Sequence, residues 1–532
     1  MVGQIVLVGI LALSVEHNGW VWFQGGDQIW MTTTGWLLGQ RELPPTEIGY
    51  LWPAAQAPVT WATGATYVQA LPVLVLGQVL VLGPIAVYCV YALAREIGGR
   101  LLGYWAALLW VIAPFAAIPL FVDRYQERWS EQFLPQALGL TAMSDYPSMV
   151  IVLAGALFVV RSLKPGRITD AVLAGVLIGA AAALKPPNLL VVAGALLAYV
   201  VARRWREGLA CGVAIAPALV VLLLWKVRGL GQVPAFALDQ AHVAAGSGPL
   251  ALDLKLDRYL DLNFDHWRDQ MNFLREFFWS QRLAQWAPFA GLVAVLMVRR
   301  GAIAALLGGW LAAFLVVKGF SPLASIESGS FWRLLMPAWP AYLLLFAAIP
   351  LLVPTLARRL GDRVLPPASS PVAPRWIAVA AVVTVVVPGI GIALSSPLGR
   401  TEAQQKTVVQ DFESGNILTP VDEGVQVAVR DDGSSRELTW TSGGPWRADV
   451  FYRVYRHDGS DDDTVCYQSG GTAWYCLLNS EPIATTLGGS FVDKDAPPTA
   501  TYRIGIGTNW ADNPEFGDVF AFSSPVEVGA PG

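Results

Sequence analysis

The sequence predicts a mostly α protein: a polytopic membrane bundle of about eleven helices, followed by a C-terminal extracytoplasmic β-sandwich. Three observations carry this. The 532 residues are 54% hydrophobic and only 14% charged, where a soluble domain is nearer about a quarter charged. Apolar segments recur along the chain as far as residue 396. From about 416 the apolar spacing falls from a helical period to a period of two.

The apolar segments lie at 1–22, 71–94, 101–121, 147–163, 171–185, 188–202, 209–226, 285–298, 302–317, 334–356 and 376–396. Several are shorter than the roughly 20 residues of a perpendicular crossing, and flanking aromatics extend them. The first has no basic residue before it and no small-residue cleavage site, so it reads as a helix and not as a signal peptide. It is either extended by Gly19–Phe23 or shortened by a misplaced start codon.

Charge sets the orientation. With the N-terminus in the cytoplasm, the cytoplasmic turns hold Arg95 and Arg100; Arg161, Lys164 and Arg167; Arg203, Arg204 and Arg206; Arg299 and Arg300; and Arg358, Arg359 and Arg363. Every one of these turns is basic, as cytoplasmic turns are. Loops 23–70, 122–146, 227–284 and 318–333 then lie outside, with the C-terminal region. The 22 tryptophans suit a chain with many interfacial anchors. The net charge of -4 and the lack of a basic tract exclude nucleic acid as a partner.

Residues 357–375, with Pro366, Pro367 and Pro371, read as a cytoplasmic linker. The expected domains are 1–397, a linker at 398–415, and a β-domain at 416–532. In that last part Val425–Val429, Leu438–Trp440, Val450–Tyr455 and Tyr502–Ile506 alternate as half-buried strands between Gly, Asp and Pro turns. Trp440, then Tyr452-Arg-Val-Tyr455, then Ala500-Thr-Tyr502, resemble strands B, C and F of a fibronectin type III domain, with Tyr502 as its corner tyrosine. Of the four cysteines, Cys89 and Cys211 sit in apolar segments as packing residues. Cys466 and Cys476 sit in the polar β-region and form a disulfide if that region is outside the cytoplasm. Fibronectin type III domains generally lack one, so the pair is a departure.

The chemistry-bearing candidates fall at external helix ends. Asp27, in Gly25-Gly26-Asp27-Gln28, leaves the first helix among Trp20, Trp22, Phe23, Trp30 and Trp36. It is either a catalytic carboxylate or an Asp in a wet loop held by an aromatic belt. Asp145, in Ser144-Asp145-Tyr146-Pro147, is either catalytic or a helix cap. Arg333 opens a helix carrying Pro337 and Pro340, residues that kink it; a guanidinium there binds a phosphate in bidentate fashion, or snorkels. Lys185, in Lys185-Pro186-Pro187-Asn188, lies against the charge bias and is a phosphate contact or another snorkelling chain. Glu47, Tyr50, Arg124, His242 and His266 are further external residues that can line a substrate cavity. The aromatic and charged stretch 253–286 suits a helix lying flat on the membrane, or a cavity wall.

In order, these motifs are a first helix, a loop Asp27, Tyr50-x-Trp-Pro53, Ala94-Arg95-Glu-Ile-Gly-Gly-Arg100, Ser144-Asp145-Tyr-Pro147, Lys185-Pro186 and Arg333-Leu-Leu-x-Pro337-x-x-Pro340. Together they resemble the polytopic glycosyltransferases of the GT-C fold, near the protein O-mannosyltransferase and lipid A aminoarabinose transferase group, over roughly residues 1–356. The resemblance implies that Asp27 is the catalytic acid of the first loop, Asp145 the acid of the second, and Arg333 a donor-phosphate ligand, with Lys185 beside it. It implies a polyprenyl-phosphate-linked sugar donor and an acceptor hydroxyl on a protein, lipid or wall glycan, with inversion at the sugar. Gln28 stands where relatives often carry a second acid, and Tyr50-x-Trp-Pro53 has fewer prolines than usual. No cofactor is called for, and a divalent metal is left open. Two rival readings are a transporter or flippase of a lipid-linked glycan, and an anchored adhesion module.

Overall fold

The structure is a computed structural model. It describes residues 1–14, 25–45, 48–64, 67–116, 133–230, 262–278, 282–321, 330–361, 370–398, 425–431, 435–442, 450–457, 464–469, 473–478, 482–497, 499–508, 519–523 and 526–528. Each apolar segment contains a helix. Among the described residues six are long and apolar enough to cross a membrane: Ala70–Gly98, Asp145–Ser162, Trp205–Leu230, Gly301–Gly319, Arg333–Leu352 and Pro374–Leu394. Arg100–Ala116, Ile168–Leu184, Pro186–Val201 and Arg282–Met297 are apolar but shorter, and Val2–Ser14 has 13 residues. Of the eleven expected spans, six are thus long and apolar enough to cross by their own length among the described residues. The chain is an integral membrane protein.

Contacts divide the chain into two units. The first comprises Met1–Gly9, Thr46–Ala54 and Leu76–Ser395. At its centre is Ile168–Leu184, almost entirely buried on every side. It packs against Asp145–Ser162 and Trp205–Leu230. Small residues permit this, as between membrane helices generally. A Cβ on Gly175 would lie 2.2 Å from the Cys211 carbonyl, and one on Gly291 would lie 2.0 Å from that of Leu345. By contrast, no residue of Pro374–Ala381 is buried, which places that helix at the periphery.

Proline interrupts two helices as their sequences predict. Lys185 is extended, at φ -148° and ψ 106°, before the 3-10 turn Pro186–Leu190, the conformation a residue before proline prefers. Met336–Ala338 forms a second 3-10 turn, between Ser330–Leu335 and Trp339–Ala348.

Basic turns from three of the predicted groups meet at one end of the bundle. Asp170, fully buried, pairs with Arg161 at 3.3 Å and Arg167 at 3.4 Å, and accepts the Val372 N–H at 3.2 Å. Lys164 pairs with Glu96 at 3.0 Å, and Arg204 donates to the Leu163 carbonyl at 3.1 Å.

The second unit comprises Ile10–Pro45, Ala55–Val75 and Ser396–Gly532. Two stretches of the N-terminal third therefore group with the C-terminal strands. One link is visible: Glu42–Leu43 pairs in parallel with Ser396–Pro397. The strands expected from the sequence form at Val425–Asp431, Arg436–Ser442, Val450–His457 and Ala500–Thr508. Val425–Asp431, Arg436–Ser442 and Ser490–Asp493 make a three-stranded antiparallel sheet. Val450–His457 and Ala500–Thr508 form the middle of a five-stranded sheet. Side chains join the two sheets: Trp440 lies 5.5 Å from Tyr452 between ring centroids, and Asp493 binds Arg456 at 3.0 Å. Tyr502 differs from the expected corner tyrosine. It lies within its strand, and its hydroxyl donates to Asp493 Oδ2 at 2.7 Å in place of the backbone partner of a tyrosine corner.

Candidate functional site

At the bundle end away from the basic turns, Asp145 starts the helix Asp145–Ser162. Its neighbours hold it firmly. The carbonyls of Thr141 and Ala142 accept bonds from Gln78 Nε2 and Trp52 Nε1, both at 2.6 Å. The Tyr146 ring lies against Gly139, whose φ of +76° and lack of a side chain admit it; a Cβ there would be 2.9 Å from the ring. Ser144 makes no side-chain cap, and the Asp145 carboxylate does not cap its helix either. It is fully buried and turned to cations from elsewhere.

One cation is Lys185, which ends the neighbouring helix Ile168–Leu184 because Pro186 and Pro187 cannot continue it. Its ammonium donates to Asp145 Oδ1. Asn188 closes the turn by donating to the Ala181 carbonyl at 2.9 Å. The second is Arg333, whose Nε lies 3.7 Å from the same Oδ1, an ion-pair distance beyond hydrogen bonding. The lysine and arginine side chains keep 15% and 26% of their surface exposed, so both reach the edge of the site. Asp145 Oδ2 is buried with no hydrogen-bond partner among the described residues. A buried acceptor without a partner is rare and calls for an explanation.

A third cation was not among the sequence candidates. Lys318, in the last turn of Gly301–Gly319, is 4% exposed, and that helix packs against the turn Pro186–Leu190 that follows Lys185. The signal was available, since a lysine at the external end of an apolar segment runs against the same charge bias that singled out Lys185.

Residues 48–52 brace this end. Gly49 sits where a Cβ would be 2.2 Å from the Ala183 carbonyl. The Ile48 carbonyl accepts from Trp225 Nε1 at 3.0 Å. Tyr50, expected to line a cavity, is fully buried, and its phenol donates to the Thr384 carbonyl at 2.7 Å. Its apolar surroundings make it a strut, with the hydroxyl consumed.

Asp27, expected in a loop, falls in the first turn of the helix Gly25–Gly39. That helix belongs to the second unit, where it touches the strand Ala473–Leu478. The side chain of Asp27 lies outside the described residues, as do Glu47, Arg124 and His242. His266 is on the helix Phe264–Phe273, whose start Asn263 caps; its Nε2 lies 3.4 Å from the Ser321 carbonyl. That short helix carries exposed Phe264 and an exposed Asp265–Arg268 pair. Cys466 and Cys476 are register partners in the hairpin of Thr464–Ser469 with Ala473–Leu478. Among the described residues no three His, Cys, Asp or Glu side chains are grouped to hold a metal ion.

No protein-family model and no curated protein matches the chain. Solved structures do. ArnT from Cupriavidus metallidurans in the apo state is 15% identical, with a TM-score of 0.43 over 72% of this chain and 62% of that one. The same protein bound to undecaprenyl phosphate gives 15%, a TM-score of 0.44, and coverage of 78% and 79%. The apo oligosaccharyltransferase of Archaeoglobus fulgidus gives 13%, 0.38, and coverage of 77% and 58%. Both proteins are GT-C glycosyltransferases, the group the motifs resemble. The chain spans 62% of the first structure's length. Likeness at this level assigns no activity.

Chemically, the described cluster is a buried carboxylate between two cations, Lys185 and Arg333, at the ends of helices that run through the bundle. Lysine and arginine side chains at such a place have the chemistry to bind a phosphate by charge-assisted bonds. Asp145 also orients the cations by holding both of them on one oxygen.

Proposed function

We propose that this chain is a membrane glycosyltransferase that uses a polyprenyl-phosphate-linked sugar. The observation that carries the reading is the meeting of Lys185 and Arg333 on Asp145 at one end of an apolar helical bundle. A phosphate attached to a lipid arrives at such a depth, with its tail in the bilayer and its charge at the helix ends. The motif order from Asp27 to Pro340 supports the same reading.

In this scheme the acceptor hydroxyl attacks the anomeric carbon of the donor. Asp27 takes the hydroxyl proton as the new bond forms. The bond from the anomeric carbon to the phosphate oxygen breaks, and its electron pair leaves with the phosphate. Arg333 and Lys185 stabilise the charge that develops there. Asp145 holds both cations through Oδ1, and its Oδ2 accepts a bond from a sugar hydroxyl. A single displacement inverts the sugar. The site faces the extracytoplasmic side, with the N-terminus in the cytoplasm and the C-terminal sheets outside as a sandwich.

The test is to supply labelled polyprenyl-phosphate sugars to membranes containing the protein. The label should move from lipid to an acceptor, and an Arg333→Lys variant should do this poorly, because one ammonium cannot reproduce a guanidinium fork. Label that crosses the membrane while still on its lipid would instead identify a flippase.

A further inference from the structure

Two helices of the bundle, Val191–Val201 and Arg282–Met297, end in the same way. Each finishes in a Schellman turn. The Arg203 N–H donates to the Val200 carbonyl at 3.0 Å and the Arg204 N–H to that of Tyr199 at 2.9 Å. Arg299 and Arg300 repeat this on Leu296 and Val295, at 2.9 and 3.1 Å. The motif puts one residue in the left-handed region, which favours glycine because a Cβ crowds the backbone there. The nearby turn after Asp145–Ser162 follows that rule, with Gly166 at φ +71°. These two turns instead hold Arg203 at +55° and Arg299 at +59°. An arginine kept twice in a strained position points to a use for its side chain.

The two turns adjoin. Val191–Val201 runs antiparallel to Gly301–Gly319: a Cβ on Gly194 would lie 2.4 Å from the Leu306 carbonyl oxygen, and one on Gly301 3.8 Å from Val201. The bond from Arg204 to Leu163 joins them to the other basic turns. Acids at this end already face other cations: Asp170 faces Arg161 and Arg167, Glu96 faces Lys164, and Glu207 lies 3.9 Å from Arg204. Arg203, Arg299 and Arg300 are exposed, and among the described residues no hydrogen bond or ion pair reaches their side chains. Beside them the helices expose Val200, Val201, Leu296 and Met297, with Trp205. That is an apolar face for acyl chains, with an aromatic of the kind found at the membrane interface. Guanidinium groups match the oxygens of a phosphate. We infer that Arg203, Arg299 and Arg300 form a headgroup site for an anionic phospholipid of the surrounding bilayer. In the orientation proposed above this is the cytoplasmic leaflet, whose surface is negative. The site is independent of the reaction at the Asp145 end.

The experiment titrates the full chain in detergent with phosphatidylglycerol or phosphatidylcholine. Native mass spectrometry counts bound lipid, and melting is followed alongside. Wild type should bind phosphatidylglycerol about tenfold tighter than phosphatidylcholine. Arg203→Gly with Arg299→Gly should weaken phosphatidylglycerol by about tenfold or more, roughly fivefold for each cation lost, and phosphatidylcholine by less than about twofold. Without lipid this variant should melt at the wild-type temperature or above it, because glycine adopts the left-handed backbone without strain. Arg100→Gln with Arg375→Gln removes two cations from other turns and should cost less than about threefold. Equal losses in the two double variants would mean a diffuse field in place of a site, and would overturn the inference. Unchanged binding in the glycine variant, or no preference for phosphatidylglycerol in wild type, does the same. So does a lower lipid-free melting temperature with binding intact, which marks the arginines as structural. Glycerol phosphate that raises the melting temperature as much as phosphatidylglycerol would assign the site to a free anion and overturn the inference too.

Discussion

Lys185 ends one helix with its ammonium on the carboxylate of Asp145, the residue that begins the helix beside it. Forty positions of sequence separate them, yet the pair forms because the two helices are antiparallel neighbours. Arg333 joins the same oxygen from a third element. Asp145→Asn would leave two cations facing each other across a neutral amide. Breaking a buried pair is costly, but solvent contact of both cations reduces the penalty to about 2 kcal/mol. Thermal melting in nanodiscs should show this loss, and added farnesyl phosphate should restore part of it by supplying the missing negative charge.

Gly49→Ala tests the brace behind Lys185. A Cβ would fall 2.2 Å from the Ala183 carbonyl and 2.5 Å from that of Leu184. Neither backbone atom can move cheaply, so overpacking should cost about 1–3 kcal/mol. The strain falls on the turn that presents Lys185. Binding of farnesyl phosphate should therefore weaken together with the melting temperature; a melting temperature equal to wild type would show that the contact yields freely.

Asp27→Asn should reduce transfer by about 10²–10⁴-fold, the range of general-base catalysis, while folding and lipid binding persist. Asn is nearly isosteric and keeps its hydrogen bonds, but does not accept the acceptor's proton at neutral pH. Near-normal turnover at equal folding would remove Asp27 from the role of base.

Cys466 and Cys476 are register partners across an antiparallel hairpin. Directly opposed residues there have Cα atoms about 4.5–5.5 Å apart, inside the range a disulfide spans. Thiol-reactive reagent applied to the folded, unreduced protein should leave both unlabelled, and prior reduction should expose both. Labelling of the pair without reductant would count against the bond.

The C-terminal sheets should weaken in acid through Asp493. Burial opposes its ionisation, but bonds from Tyr502 and Arg456, the Arg456 charge and the Asp495 N–H outweigh burial and hold its carboxyl below the ordinary range. Stability from a depressed carboxyl is present above its unfolded pKa of about 3.9 and is lost as pH falls through the folded value. Tyr502 is the converse case: burial, then its bond to Asp493, push the phenol up to about 12. Its contribution is complete below about 10 and is lost as pH rises through the folded value. Tyr502→Phe should cost about 2 kcal/mol at neutral pH. It should also move the acid transition of the full-length protein upward; a transition that does not move would show that Arg456 alone sets Asp493.

Much of the fold was legible in the sequence because its signals are local. The apolar runs became helices where they were expected, since a backbone in lipid must satisfy its own hydrogen bonds. Pro186 and Pro337 broke helices at the expected positions for an equally local reason, the missing N–H. The period-two stretches became strands. Lys185 stood out by lying against the charge bias, and Arg333 as a guanidinium opening the helix of Pro337 and Pro340. Tertiary structure alone decided that they share Asp145 and that Tyr50 spends its hydroxyl on Thr384. Those outcomes depend on which helix ends become neighbours, and close approach at residues such as Gly49 and Gly175 sets that. No periodicity or spacing along one chain encodes the distance between two charges that different helices bring together.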